Sequence, residues 1–124
     1  MARYVIVGAG SVGTHTARLA AAQGHDVVLL SRSGRQLDLP GVISRSVDAS
    51  DPRALTAAVG GAQVLYNCAN PGTYIQWRSL WPPLAAALLH ASRRTGAVLA
   101  TVSNLYGYGP VHGPLTTEHP LAAT

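Results

Sequence analysis

The 124-residue chain has no lysine; all nine of its basic residues are arginine. It has five acidic residues and a single cysteine, Cys68. One cysteine excludes an internal disulfide, so a cytoplasmic location is expected. No apolar run approaches the roughly 20 residues that a membrane-spanning helix requires. Only Arg3 precedes the first apolar segment, which is not the pattern of a secretory leader. The shortage of acids leaves a net charge of +4. The arginines are scattered rather than clustered, so the charge points to a small anionic ligand and not to nucleic acid or a membrane surface. No metal site is expected. At 48% hydrophobic residues the chain is too apolar to be disordered. Its length suits one domain, residues 1–124, with a real core.

The most informative segment begins at Tyr4. Val5, Ile6 and Val7 make a short β-branched strand that runs into Gly8-x-Gly10-x-x-Gly13. Gly8 permits a sharp turn, and Gly10 lets an anion approach the backbone. Gly13, with Ala17 after it, lets the next helix sit close to the sheet. The free N–H groups of that helix, Ser11 and Val12 among the first, then face a phosphate.

The rest of the chain alternates in the same way. Strands are expected at Tyr4–Val7, Asp26–Leu30, Val42–Val47, Ala62–Tyr66 and Ala97–Val102. Helices are expected from about Val12 to Gln23, from Pro52 to Val59, and from Leu80 to Thr95. Gly24, Gly60-Gly61 and Gly96 stop them, and Asp51 with Pro52 starts the second. Ser103 to Thr124, rich in glycine and proline, reads as loop. This pattern predicts an α/β fold: a doubly wound, Rossmann-type parallel sheet of five strands in the order 3-2-1-4-5.

A strand–glycine–helix turn of this kind binds a dinucleotide. An NAD site places an Asp or Glu about twenty residues past the glycines. Here the second strand ends Leu30-Ser31-Arg32-Ser33-Gly34-Arg35, with no acid. Arg32 can pair with a 2′-phosphate, Ser31 and Ser33 can donate to it, and Arg35 can reinforce it. NADP(H) is therefore favoured over NAD(H). Asp48 is placed to accept from the adenine amine, or else to cap a turn. Asn67, Cys68 and Ala69 lie at the carboxyl end of the fourth strand, beside the nicotinamide half. Cys68 has no neighbouring base or cation and reads as an inert thiol. Tyr74, Trp77 and Trp81 cluster after that strand, as core, as an oligomer contact or as a substrate surface.

These features, together with Val102-Ser103-Asn104-Leu105-Tyr106-Gly107 after the fifth strand, resemble an extended short-chain dehydrogenase/reductase of the NAD(P)-dependent epimerase/dehydratase group. The family's usual Gly-x-x-Gly-x-x-Gly is here the shorter Gly-x-Gly-x-x-Gly. The resemblance implies that Ser103 holds the substrate oxygen and that Tyr106 belongs to a Tyr-Gly signature near the substrate. It also implies a proton-transferring tyrosine with a lysine four residues on. An unperturbed tyrosine has a pKa of about 10, so such chemistry needs a fixed cation nearby. A lysine-free chain has no such pair. On the resemblance, that helix would follow Thr124, and the chain reads as the truncated, N-terminal cofactor-binding part of a longer enzyme.

Three functions stay open: a fragment of a hydride-transferring reductase or epimerase, a stand-alone non-catalytic dinucleotide-binding or regulatory module, and a small enzyme using His112 or His119 as base. The expected partners are a small-molecule substrate and a second copy, joined through the exposed strand-five side.

Overall fold

In a computed structural model, which describes residues 1–123, the chain forms a parallel sheet covered on both faces. The elements in order are β1 (Arg3–Val7), α1 (Ser11–Ala22), β2 (Asp26–Ser31), β3 (Val42–Ser46), α2 (Pro52–Val59), β4 (Val64–Asn67), α3 (Tyr74–Thr95) and β5 (Val98–Thr101). A short 3₁₀ turn follows at Tyr106–Tyr108. The strand order is β3-β2-β1-β4-β5, all parallel. This is the doubly wound Rossmann-type arrangement.

The apolar strands alternate between two layers. Val5, Val7, Val28, Leu30 and Leu65 face α2 and α3 and pack with Leu55, Val59, Leu84 and Leu88. Ile6, Val27 and Leu29 face the other way and pack with Ala17 and Ala20 of α1. A strand buried on both faces has no polar side to show, hence the near-continuous apolar runs of β1 and β2. No helix joins β2 to β3; Leu37 and Leu39 of the connecting loop pack against the α1 layer instead.

Most boundaries fall within one or two residues of expectation. The second helix starts as expected, with the Asp51 carboxylate accepting from the N–H groups of Arg53 and Ala54. The main correction concerns α3, which begins at Tyr74 rather than near Leu80. The backbone N–H of Thr73 donates to Gln76 Oε1 at 3.0 Å, half of a capping box that fixes the start of the helix. The helix runs through Pro82 and Pro83, each of which removes a helical N–H. The buried residues Leu84, Ala87, Leu88 and Ala91 hold it to the sheet regardless. Among the described residues no helix is long and apolar enough to cross a membrane.

Candidate functional site

Register decides what meets at the carboxyl edge of the sheet. Val7 lies level with Leu30 of β2 and with Asn67 of β4. The residues that follow, Gly8, Ser31 and Cys68, therefore leave the sheet side by side. Gly8 N–H donates to the Leu30 carbonyl at 2.9 Å, and Cys68 N–H donates to the Val7 carbonyl at 2.8 Å. These bonds lock three loops into one rim, at the place where doubly wound sheets bind ligands.

The three glycines of the turn have distinct physical jobs. Gly8 has φ +103°, and a Cβ on it would come within 2.8 Å of the Cys68–Ala69 peptide. A Cβ on Gly13 would overlap the Gly8 carbonyl oxygen, so Gly13 sets how closely α1 seats on the turn. Gly10 differs: a Cβ there would meet nothing within 4 Å. It would project into open space at the mouth of α1. Gly10 is also the N-cap of α1 and supplies no side-chain cap, and the first turn carries no acid. The leading N–H groups of that helix are left for an anion from outside.

That open space belongs to a cavity of about 710 Å³, within the ~300–1,000 Å³ typical of small-molecule and cofactor sites. Gly8, Gly10, Ser11, Val12, Ser31, Arg32, Asp48, Cys68 and Ala69 line it. Gly13 lies buried behind the turn. Asn67, almost fully buried, and Arg35, Ser103, Tyr74, Trp77 and Tyr106 are not part of the wall. Sequence reasoning missed Gln76, Leu80 and Leu84 of α3, which close the cavity on the β4 side. The Thr73-x-x-Gln76 capping pattern was the available signal for extending α3 that far.

The loop after β2 is held by its own hydrogen bonds. Ser31 Oγ accepts from Gly34 N–H at 3.0 Å, and Ser46 Oγ donates to the Arg32 carbonyl at 2.7 Å. The Arg32 guanidinium makes no ion pair among the described residues. In the loop after the neighbouring strand β3, Asp48 Oδ1 accepts from Ser50 Oγ at 2.6 Å and from Ser50 N–H at 3.0 Å. These bonds hold its carboxyl below the ordinary value, and the positive charge of Arg32 adds to the effect. Asp48 thus does cap a turn, through Oδ1, while also lining the cavity. Burial pushes the Cys68 thiol above its ordinary value, against a smaller opposite effect of a hydrogen bond with Thr16, as suits an unreactive thiol.

Ser103 lies beyond the end of β5, exposed, with Oγ 3.4 Å from the Asn104 carbonyl. The Tyr74 and Tyr106 hydroxyls are 3.2 Å apart. Trp77 lies against Tyr74 at 4.3 Å and against Trp81 at 6.3 Å between ring centroids.

The chemistry of this donor set fits a dinucleotide. An uncapped helix start meets a side-chain-free approach at Gly10, with an unpaired arginine at one end and a carboxylate beside it. A family model described as NAD(P)H-binding matches residues 8–120. No curated protein matches the chain significantly. Among solved structures, a Burkholderia pseudomallei protein provisionally described as exported is 26% identical, with a TM-score of 0.68 over 86% of this chain and 50% of that one. Vestitone reductase from alfalfa is 21% identical, with a TM-score of 0.67 over 82% and 36%. UDP-glucose 4-epimerase from Bifidobacterium longum, in complex with NAD+ and UDP, is 19% identical, with a TM-score of 0.81 over 98% and 43%. The chain spans half or less of the length of each of these structures. It belongs to the NAD(P)H-binding family, and it shares the fold of the short-chain reductases and epimerases that its motifs resemble.

Proposed function

We propose that the chain binds NADP(H) in preference to NAD(H), as the cofactor-binding part of a reductase or epimerase that acts at a carbonyl or carbinol carbon. The observation that carries the preference is the end of β2. Where an acid would hold an adenosine ribose, Ser31 and Arg32 line the cavity instead. A guanidinium meets a phosphate with two parallel hydrogen bonds. Ser31 Oγ accepts from Gly34 N–H, which leaves its own O–H free to donate. Ser33 and Arg35 follow in the same loop, outside the cavity wall, and would add a donor and a second cation once the loop closes on the phosphate.

In this reading the N–H groups of Ser11, Val12 and Gly13 receive the pyrophosphate. Asp48 Oδ2 takes the adenine amine while Oδ1 stays with Ser50. The Asn67-Cys68-Ala69 turn supports the nicotinamide side. When bound, the cofactor supplies or takes up a hydride. Ser103 turns its hydroxyl from the Asn104 carbonyl to donate to the substrate oxygen.

The test is a titration of wild type and Arg32→Ala with NADPH and NADH. A charge-assisted pair contributes about 1.5–3 kcal/mol, or roughly 10- to 100-fold in affinity. Wild type is expected to prefer NADPH by that factor, and Arg32→Ala to lose the preference with NADH binding unchanged. Equal binding of both cofactors by wild type overturns the assignment.

A second reading, a non-catalytic binding or regulatory module, is favoured by one observation: no tyrosine has a lysine four residues on, because the chain has no lysine. Turnover of a carbonyl substrate by the 124-residue chain with NADPH would eliminate it. A cytoplasmic location belongs to the same proposal and rests on the single cysteine; recovery of the protein outside the cytoplasm on cell fractionation would overturn it.

A further inference from the structure

Two rows of side chains run along the first half of α3. Gln76, Leu80 and Leu84, four residues apart, line the cavity. Tyr74, Trp77 and Trp81 occupy the neighbouring stripe, because positions i, i+3 and i+7 share a helix face. The Tyr106 hydroxyl meets that of Tyr74 and ties the segment after β5 to this stripe. Four of the chain's seven aromatic residues, including both tryptophans, are gathered here.

The shelf's position follows from the sheet order. The cavity runs from Arg32, after β2, across β1 to the loop after β4. A dinucleotide with its phosphorylated ribose at Arg32 extends toward β4, and the next strand outward is β5. The segment after β5 carries Ser103 and Tyr106. The reacting partner of the cofactor therefore has to enter where the aromatic stripe stands.

Its chemistry is unusual for a solvent-facing surface. Tyr74 and Tyr106 are 68% and 64% exposed, more than core packing would leave. The Trp77 indole N–H is enclosed and has no acceptor among the described residues, and such a donor is costly to leave unpaired. We propose that Tyr74, Trp77 and Tyr106 form the substrate-binding shelf of this site, backed by Trp81, which packs against the core, and that it takes an uncharged ligand with a planar aromatic ring bearing a carbonyl or hydroxyl oxygen. The ring stacks on the exposed aromatic faces. Its oxygen substituents meet the paired phenol hydroxyls, and a ligand that shifts the Trp77 ring as it seats gives the enclosed Nε1 the acceptor it lacks. The hydrogen bond with Tyr106 holds the Tyr74 hydroxyl above its ordinary value, so Tyr74 meets the ligand as a neutral donor and acceptor. This deepens the cofactor reading, on which it rests for the direction of entry.

Trp77 lies on the shelf and Trp81 touches it edge-on from the core side, so intrinsic emission reports the shelf's occupancy. The experiment titrates 4-hydroxyacetophenone, acetophenone, cyclohexyl methyl ketone and UDP-glucose into the protein, with and without NADPH. NADPH binding is read separately by calorimetry. The expected result is saturable quenching by the two aryl ketones, at least about tenfold tighter than by the cyclohexyl compound. The double variant Tyr74→Phe/Tyr106→Phe keeps the rings; it should bind acetophenone normally and lose the preference for 4-hydroxyacetophenone. Trp77→Leu should weaken both aryl ketones, provided its thermal melt matches wild type. Quenching equal for aryl and cyclohexyl ketones overturns the proposal, as does no saturable quenching in either cofactor state. So does binding of UDP-glucose in place of the aryl ketones. Failure of the shelf with NADPH still bound leaves the cofactor reading standing, and loss of NADPH binding alone overturns that reading instead.

Discussion

Gly10 offers a substitution whose effects on folding and on binding separate. A methyl group at Gly10 meets nothing within 4 Å, and the residue sits at φ −83°, ψ −166°, a conformation open to any amino acid. Gly→Ala at such a position stabilises by about 0.4–1 kcal/mol through the unfolded chain. Alanine is a poorer N-cap than glycine by a comparable amount. The two effects offset, so Gly10→Ala should shift the melting temperature by no more than a few degrees. Binding should respond very differently. The methyl group occupies the space through which a pyrophosphate reaches the leading N–H groups of α1. Each charge-assisted bond contributes about 1.5–3 kcal/mol, and losing two costs roughly 100-fold or more in affinity. Gly13→Ala is the contrasting variant: its methyl overlaps the Gly8 carbonyl oxygen, so α1 must move. Overpacking of this kind costs about 1–3 kcal/mol and should lower the melting temperature clearly. Calorimetric titration with NADPH beside thermal melts measures both quantities. A Gly10→Ala protein that binds NADPH with wild-type affinity would show that the pyrophosphate does not cross this residue, and the glycine argument would fall with it.

Two further outcomes are expected. β5 is an edge strand without charge or proline, and its Val98 is 65% exposed, whereas the opposite edge, β3, carries Arg45. An unguarded edge pairs with another strand, so we expect the 124-residue chain to self-associate through β5 and Val98→Lys to shift it toward monomer in sedimentation velocity; a wild-type monomer at high concentration refutes this. The Asp48 carboxyl should titrate below an ordinary aspartate by NMR, and Ser50→Ala should move it up, since the Ser50 bonds are the main cause of its depression. Its small stabilising effect is present above the unfolded value of about 3.9 and is lost as pH falls through the lower folded value. An Asp48 midpoint unchanged by Ser50→Ala would show that the serine does not hold it.

What could be read in advance was set by backbone demands, and what could not was set by side-chain direction. Val5-Ile6-Val7 and Val27-Val28-Leu29-Leu30 announce strands covered on both faces, because no polar residue interrupts them. Asp51-Pro52 announces a helix start through a cap and a fixed φ. Once two such strands pair in parallel, their carboxyl ends align, so Gly8, Ser31 and Cys68 were bound to share one rim. The α3 start was harder. Pro82 and Pro83 argue locally for a break, and the capping box that opposes them lies in a loop rich in Asn, Pro and Gly. Its consequence is large, since only a helix reaching back to Tyr74 sets Gln76 and Leu80 on the cavity and turns Trp77 and Trp81 to the adjacent stripe. Arg35 and Ser103 show the same limit from the other side. Each follows a strand that ends at the site, yet neither lines the cavity wall, because a few loop residues suffice to carry a side chain off the line of its strand. The cofactor end of the cavity is thus written in the glycines and strand ends. The end facing a reaction partner is written in which face of α3 each aromatic residue occupies.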